Sequence, residues 1–268
     1  MKNKKIKNLV IGSEGFLGQP LCKFLEEKGE DVTHFDIKRN KKEDARFADL
    51  KLNNYDRIYF LAWEVGGAKY LYKKETQLTQ LNWNIDLLRN VMTQIQKHKK
   101  PFVFVSSQLA DETDTIYGAL KRTGELWTLE LQGICVRLWN IYGASEKIDE
   151  KSHVVADFIH QAKKTGKIKM MTEGNEKRQF THVRDISEAL HHLFENNMVG
   201  KIYDLTNFEW TSMLELAHII AKHTKAKVIP GDKKGVDRNF VTIKGKPKGW
   251  HPKIGLEQGL IDLINEQN

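Results

Sequence analysis

Along this chain, short apolar runs alternate with longer stretches whose apolar residues recur every three or four positions. "IKNLVI" (6–11) is the first run, and Phe16, Leu17, Leu21, Phe24 and Leu25 share one face of a helix predicted over 16–28. "DVTHFD" (31–36) and "DRIYFLA" (56–62) read as strands, and a long amphipathic helix follows over 78–98. "FVFVSS" (102–107), a helix over 117–132 and "GICVRLWN" (133–140) continue the alternation. Strands that are apolar on both faces, separated by helices, predict an α/β fold with a parallel sheet covered on both sides. Beyond Tyr142 the pattern loosens. Helices are predicted over 152–166, 183–197 and 256–265, and "KIYDLTN" (201–207) reads as a strand. A further helix over 211–224 starts at Thr211 or Ser212, with Glu215 near the spacing of a capping box. There are no repeats and no low-complexity linker. The expectation is a main domain, 1–140, and a smaller lobe, 141–268, interleaved with it.

"VIGSEGFLG" (10–18) sets Gly12, Gly15 and Gly18 between the first strand and the first helix. Such a turn brings backbone N–H groups and the positive helix end against a pyrophosphate, where a side chain would block the approach. The spacing is G-x-x-G-x-x-G, one residue longer in its first part than the dinucleotide fingerprint. The second strand ends at Asp36, where an acid accepts hydrogen bonds from an adenosine ribose and repels a ribose phosphate. Together these predict a Rossmann-like doubly wound sheet that binds NAD, with NADP admitted by the neighbouring Lys38 and Arg39.

Composition changes this picture little. The chain has 268 residues, 40% apolar and 29% charged, within the range of a globular protein, and no apolar run spans a bilayer. The net charge of +8 comes from scattered lysines, with no basic stripe interleaved with aromatics. That pattern argues against nucleic acid and suits a small anionic substrate. Cys22 and Cys135 fall within a helix and an apolar strand and read as core thiols, with no metal role. The absence of a signal-peptide pattern points to the cytoplasm.

The chemistry is concentrated in "FVFVSSQ" and "IYGALKRTGE". A tyrosine hydroxyl titrates at about 10 and is a poor base at neutral pH. Lys121 lies one helical turn from Tyr117, and its cation would stabilise the phenolate. Ser107, at the end of the neighbouring strand, would hydrogen-bond the same substrate oxygen. That trio removes a proton from a sugar or alcohol hydroxyl while hydride leaves the adjacent carbon.

With these motifs in hand, the chain resembles the extended short-chain dehydrogenase/reductases, the nucleotide-sugar epimerases, dehydratases and reductases. The likeness runs over nearly the whole chain. "GSEGFLG" matches the glycine loop, implying cofactor contacts from Gly12, Gly15, Phe16, Leu17 and Gly18. "FADL" implies Asp49 and Leu50 near the adenine, "YFLAW" sets Leu61, Ala62 and Trp63 along the cofactor, and "NWN" places Asn82 at the family's helix asparagine. "FVSSQ" and "YGALK" supply Ser107, Tyr117 and Lys121, with Gln108 as a substrate contact. "RLWNIYG" implies that Asn140 faces substrate phosphate, and "RQFTHVRD" makes Arg178 a phosphate ligand. Arg238 is a second guanidinium candidate, since a guanidinium binds two phosphate oxygens at once. "GWHPKIGLEQGL" is similar to the family's C-terminal signature. The resemblance also implies a homodimer through the two long helices, with Trp83, Leu87, Trp127 and Leu131 as candidate contacts.

Two departures narrow the reaction. The gap from Ser107 to Tyr117 is ten residues, shorter than the family usually has. Gln108 and Leu109 stand where dehydratases carry an Asp-Glu pair, with Asp111 and Glu112 out of register. "AWEVGGAKYL" and "KSHVVADFI" are similar to the GDP-fucose synthase branch, in which His153 would be an epimerisation acid, but Leu109 occupies the place of its partner cysteine. The reading is an NAD(P)-dependent nucleotide-sugar epimerase working through a keto intermediate. A nucleotide-sugar dehydrogenase or ketoreductase uses the same trio, and a silent cofactor-binding regulator is the reading from another class.

Overall fold

The computed structural model describes residues 5–144, 148–237 and 242–266. Six parallel strands form the central sheet: β1 (Lys7–Ile11), β2 (Asp31–Phe35), β3 (Arg57–Phe60), β4 (Phe102–Ser107), β5 (Ile134–Leu138) and, much later in the chain, β10 (Ile202–Leu205). Their order is β10-β5-β4-β3-β1-β2. The chain therefore runs outward from β1 in one direction to β2 and in the other through β3, β4 and β5. The crevice at the carboxyl ends of β1 and β3 is the switch point where open α/β sheets bind ligands.

Alternation of side chains explains why the strands are apolar throughout. Val10, Tyr59, Val103, Val105 and Val136 point to one face, where they pack with α1 (Gly18–Glu27) and α6 (Val183–Glu195). Leu9, Ile11, Ile58, Phe60, Phe102, Phe104 and Cys135 point to the other, against Leu87, Leu88, Val91, Met92 and Ile95 of α3 (Gln77–His98). A short helix, α2 (Ala68–Leu71), precedes α3. Helix α4 (Ile116–Glu130) packs beside α3 and against β4. Each strand thus serves two layers at once. Cys22 and Cys135 are free and buried, and burial pushes the Cys22 thiol up to about 12.

The second half builds its own core from Tyr142, Phe158, Ile159, Ile168, Phe180, Leu216 and Leu260. These come from β6 (Asn140–Tyr142), α5 (Val154–Thr165), β7 (Lys167–Lys169), β9 (Phe180–His182), α7 (Met213–Thr224) and α8 (Leu256–Glu266). The short strands β8 (Lys177–Arg178), β11 (Thr211–Ser212) and β12 (Lys227–Ile229) complete the lobe. Ser212 caps α7, with Glu215 closing the capping box. Helix α6, strand β10 and Trp250 return to the main sheet, so the two halves share one framework.

One charge interrupts the apolar pattern of β5. Arg137 is fully buried and donates two hydrogen bonds to Glu125 of α4 (Nε–Oε1 2.6 Å, Nη2–Oε2 2.8 Å) and two to Asp111 (2.9 and 3.0 Å). Ser106 donates to the same Glu125 at 2.7 Å. Removing one partner of a buried pair leaves an uncompensated charge, which costs about 3–5 kcal/mol. Glu125→Leu is therefore expected to destabilise the fold by roughly that amount, and Glu125→Leu with Arg137→Met to recover most of it. Denaturant unfolding of both variants checks this; a double variant no more stable than the single one contradicts it.

Candidate active site

The loop after β1 closes onto β3. Gly12 has φ of +94°, and a Cβ there would lie 2.6 Å from the Ala62 nitrogen. A Cβ on Gly18 would lie 2.1 Å from the Gly12 carbonyl oxygen. Both positions exclude a side chain, and the backbone of the turn stands bare at the start of α1. From here a cavity of about 760 Å³ runs past β3 and β4 into the second half. Gly12, Gly15, Phe16, Leu17, Gly18, Asp36, Leu61, Ala62, Trp63, Ser107, Tyr117, Lys121, Asn140, His153 and Arg178 all line it.

Asp36 closes one end. Its carboxylate accepts from the backbone N–H of Glu14 at 3.0 Å and of Lys38 at 2.8 Å. Arg39 turns to Glu14. The next wall is Asp44, Ala45 and Trp83, with the Arg46 guanidinium 3.4 Å from the Trp83 ring centroid. Asp49 and Leu50, expected here, lie apart from the cavity. Asp49 accepts from the Lys51 backbone, and Leu50 is a core residue whose N–H donates to Gln94. Asn82 is exposed and also outside the cavity. Two residues on, Asn84 is buried and clamps Glu64 by both backbone groups, accepting from its N–H at 2.8 Å and donating to its carbonyl at 3.1 Å. The structural asparagine of "NWN" is thus the second one, because the helical phase turns it to the strand.

At the centre, Tyr117 and Ser107 line the cavity together, with the serine hydroxyl close enough to act on the phenol. Thr115 caps α4 by accepting from the Gly118 N–H at 3.0 Å, and this fixes the turn that carries the tyrosine. Burial pushes the Tyr117 phenol up to about 12, with the neighbouring Ser107 hydroxyl acting the other way. Lys121 is buried, whereas Tyr117 is only partly so. It donates to the Val105 carbonyl at 2.7 Å and sits 3.7 Å from the Trp63 ring centroid and 5.8 Å from that of Tyr117. The expected direct support of the phenolate by Lys121 is therefore not what this geometry shows. Burial holds the lysine down to about 7, and its ammonium faces an aromatic ring and a carbonyl.

Beyond Tyr117, Asn140 donates to the Gln179 carbonyl. Arg178 donates to the carbonyls of Lys177 and Val236 at 2.7 and 2.8 Å, which aims its guanidinium along the cavity wall. His153 precedes α5 and stacks on Phe16 of the glycine loop, 6.1 Å between centroids. Gln108 is buried outside the cavity lining, and Arg238 lies outside the described residues. Asp111 is taken up by Arg137 and by Lys244 at 3.3 Å. Of the four apolar contacts expected on the long helices, Trp83 and Leu87 line the cavity, while Trp127 and Leu131 pack on the core. The exposed apolar residues there are Leu78, Ile85 and Leu126. Sequence reasoning missed Glu64, Tyr72 and Glu176 and placed Trp83 at a dimer contact; all four line the cavity. The sign for Glu64 was a charge in an otherwise apolar stretch directly after "LAW".

Residues 8–206 match the model of the NAD dependent epimerase/dehydratase family. The chain belongs to that family. It is 24% identical to the UDP-N-acetyl-alpha-D-glucosaminuronate decarboxylase of Bacillus cytotoxicus, over 97% of each chain. It is 25% identical to UDP-glucuronic acid decarboxylase 4 of Arabidopsis thaliana, over 99% of this chain and 69% of that one. Among solved structures, the UDP-glucose 4-epimerase of Thermotoga maritima with UDP-glucose superposes with a TM-score of 0.77 at 19% identity, over 97% of this chain and 98% of that one. The Thermus thermophilus UDP-glucose 4-epimerase in complex with NAD gives 0.76 at 18% identity, over 97% and 98%. The protein is thus an NAD-dependent enzyme with the family's α/β fold. The bare glycine turn and Asp36 fit NAD, and Gly12, Gly15, Gly18 and Asp36 would hold its pyrophosphate and ribose. Among the described residues, no helix is long and apolar enough to cross a membrane.

Two outcomes follow. Gly12→Val forces a side chain into the Ala62 backbone, so NAD binding is expected to fall by at least about a hundredfold; calorimetric titration with NAD checks it, and unchanged affinity contradicts the loop assignment. The second concerns Lys121, whose pKa falls from 10.5 to about 7. Below pH 7 the folded state holds a buried charge; between 7 and 10.5 the unfolded chain keeps a proton that the folded one has released, so stability rises with pH. Cofactor-free protein is expected to gain stability relative to Lys121→Met across that window. Denaturant melts at stepped pH measure it, and a flat or falling difference contradicts the burial argument.

Proposed function

We propose that this enzyme is a nucleotide-sugar epimerase that oxidises a sugar carbon, retains the ketone and reduces it from the other face. The observation that carries this reading is that Ser107, Tyr117 and Lys121 line one cavity with the glycine loop, where it continues towards Asn140 and Arg178. Bound NAD supplies the acceptor and later the donor of hydride, and its positive nicotinamide favours the phenolate. Tyr117, as phenolate, takes the proton of the sugar hydroxyl while Ser107 holds the same oxygen. Loss of that proton and of the carbon-bound hydrogen leaves a ketone. After the ketone turns its other face, Tyr117 returns the proton to the oxygen and the centre is inverted. Lys121 keeps an exchangeable proton near neutral pH within one helical turn of the base. Arg178 is suited to the diphosphate, because a guanidinium binds two oxygens of it in one plane.

Decarboxylation is the second reading, favoured by the match of nearly the whole of this chain to named decarboxylases. It begins with the same oxidation, next to a carbon that bears a carboxylate, and the resulting β-keto acid loses carbon dioxide. Dehydration is disfavoured, because Gln108 and Leu109 replace the acid pair and Asp111 is held by Arg137 and Lys244. A homodimer through Leu78, Ile85 and Leu126 on α3 and α4 completes the proposal.

The test is to purify the protein, identify the nucleotide released on denaturation, and supply UDP-, GDP-, CDP- and dTDP-sugars. Interconversion of epimers with no net reduced-nicotinamide absorbance is expected. Steady growth or loss of that absorbance makes the enzyme a dehydrogenase or reductase, and release of carbon dioxide from a uronate makes it a decarboxylase. Tyr117→Phe is expected to lower kcat by about 10²–10⁴-fold with NAD affinity retained; full activity in that variant removes the assigned base.

A further inference from the structure

Glu64 follows Trp63, whose ring lies on Lys121, so its backbone is fixed at the catalytic end of the cavity. Asn84 clamps that backbone on both sides. The carboxylate is held as tightly, but on one oxygen only. Oε1 accepts from the Tyr70 hydroxyl and from Lys151 Nζ at 2.5 Å. Among the described residues, Oε2 receives no hydrogen bond, although Glu64 lines the cavity. Tyr70 is buried, and Lys151 packs over its ring at 4.5 Å. The Lys151 carbonyl also accepts from the Gly67 N–H, which locks the two loops together. The result is a preorganised acceptor: one oxygen anchored by two donors, the other left without one at the cavity wall.

Two lysines of the adjoining loops are already matched. Lys151 pairs with Glu64 itself, and Lys69 pairs with Asp157 at 2.8 Å. Arg178 lies farther along, on the carbonyls of Lys177 and Val236. A sugar that donates a hydroxyl or amine N–H to Oε2 gains a charge-assisted hydrogen bond. A sugar that brings a carboxylate meets like charge at Glu64, where the nearest lysines are paired with Glu64 and Asp157 and Lys121 is turned to the Val105 carbonyl. Resting on the nucleotide-sugar reading above, we infer that Glu64 is a specificity-determining residue that binds a neutral, donor-bearing sugar and excludes a uronate.

The experiment compares the full-length, NAD-loaded protein with Glu64→Gln and Lys151→Met on pairs of substrates that differ only at C6. These are UDP-glucose with UDP-glucuronate and GDP-mannose with GDP-mannuronate, read by kcat/KM and by equilibrium binding. The wild type is expected to prefer the neutral member by about tenfold or more. Glu64→Gln keeps an oxygen for Tyr70 and is expected to lower kcat/KM for the neutral sugar about ten- to a hundredfold. It also narrows the neutral-to-uronate ratio. Lys151→Met removes the counter-charge and is expected to widen that ratio. NAD affinity and thermal melting, measured in parallel, report on folding. Opposite movement of the ratio in the two variants supports the assignment. Movement in the same direction, or a wild type that prefers the uronate, overturns it and leaves the proposed function standing. If NAD binds but no nucleotide sugar does, the nucleotide-sugar reading fails and this inference fails with it.

Discussion

A single buried guanidinium aligns the parts of the molecule that must meet for chemistry. Arg137 rises from the middle of β5 and holds Glu125 on α4 and Asp111 on the turn that follows Ser107. Glu125 in turn holds Ser106, the neighbour of Ser107. Helix α4 carries Tyr117 and Lys121, so the serine, the tyrosine and the lysine hang from one ionic knot. Buried ion pairs contribute little net stability, since desolvation offsets their attraction. Their value here is geometric. The ten-residue path from Ser107 to Tyr117 leaves little slack, and the pull of Arg137 on Asp111 keeps it in one course. The same pull takes Asp111 out of the reacting chemistry.

Burial then acts on the two titratable groups with opposite sign. It raises the Tyr117 phenol and lowers the Lys121 ammonium, because the charged form is disfavoured in each. The two pKa values, about 12 and about 7, therefore stand in the reverse of their usual order. On the proposed mechanism, Tyr117 would then act as a base only once the positive charge of an oxidised cofactor favours its phenolate.

The sequence shows the sheet clearly because each central strand buries both faces and each long helix buries one. Leu9, Val10 and Ile11 are consecutive apolar residues serving opposite layers, and no loop composition imitates that. The glycine turn was equally legible, since steric exclusion at Gly12 admits no other residue without strain. What stayed hidden was non-local. Strands β6 and β9 are three residues each and pair across forty positions of chain, too short for any periodicity. Asn82 and Asn84 differ only in helical phase, which a motif match cannot weigh. Asp49 and Leu50 follow a loop whose path is set by Gln94 and the core, and the residues that reach the cavity there are Glu43, Asp44 and Ala45. The Tyr117–Lys121 spacing was correct as spacing, but it could not reveal that Lys121 prefers Trp63 and the Val105 carbonyl.

The two ends of the cavity are held by forces of different kind. The cofactor end is defined by backbone against backbone, Gly12 on Ala62 and Gly18 on Gly12, where movement meets steric repulsion at once. The catalytic end is closed by side-chain pairs between 64–73 and 149–157: Glu64 with Lys151, Lys69 with Asp157 and Lys73 with Glu150. Pairs as exposed as the last two are worth at most about 1 kcal/mol each and weaken with salt. The Glu64–Lys151 pair and the Gly67 N–H on the Lys151 carbonyl hold the same loops more firmly, so the catalytic end rests on a few specific contacts and the cofactor end on steric exclusion. On the proposed reading, an enzyme that must reduce the ketone it has just made needs its dinucleotide held at the stiffer of the two ends.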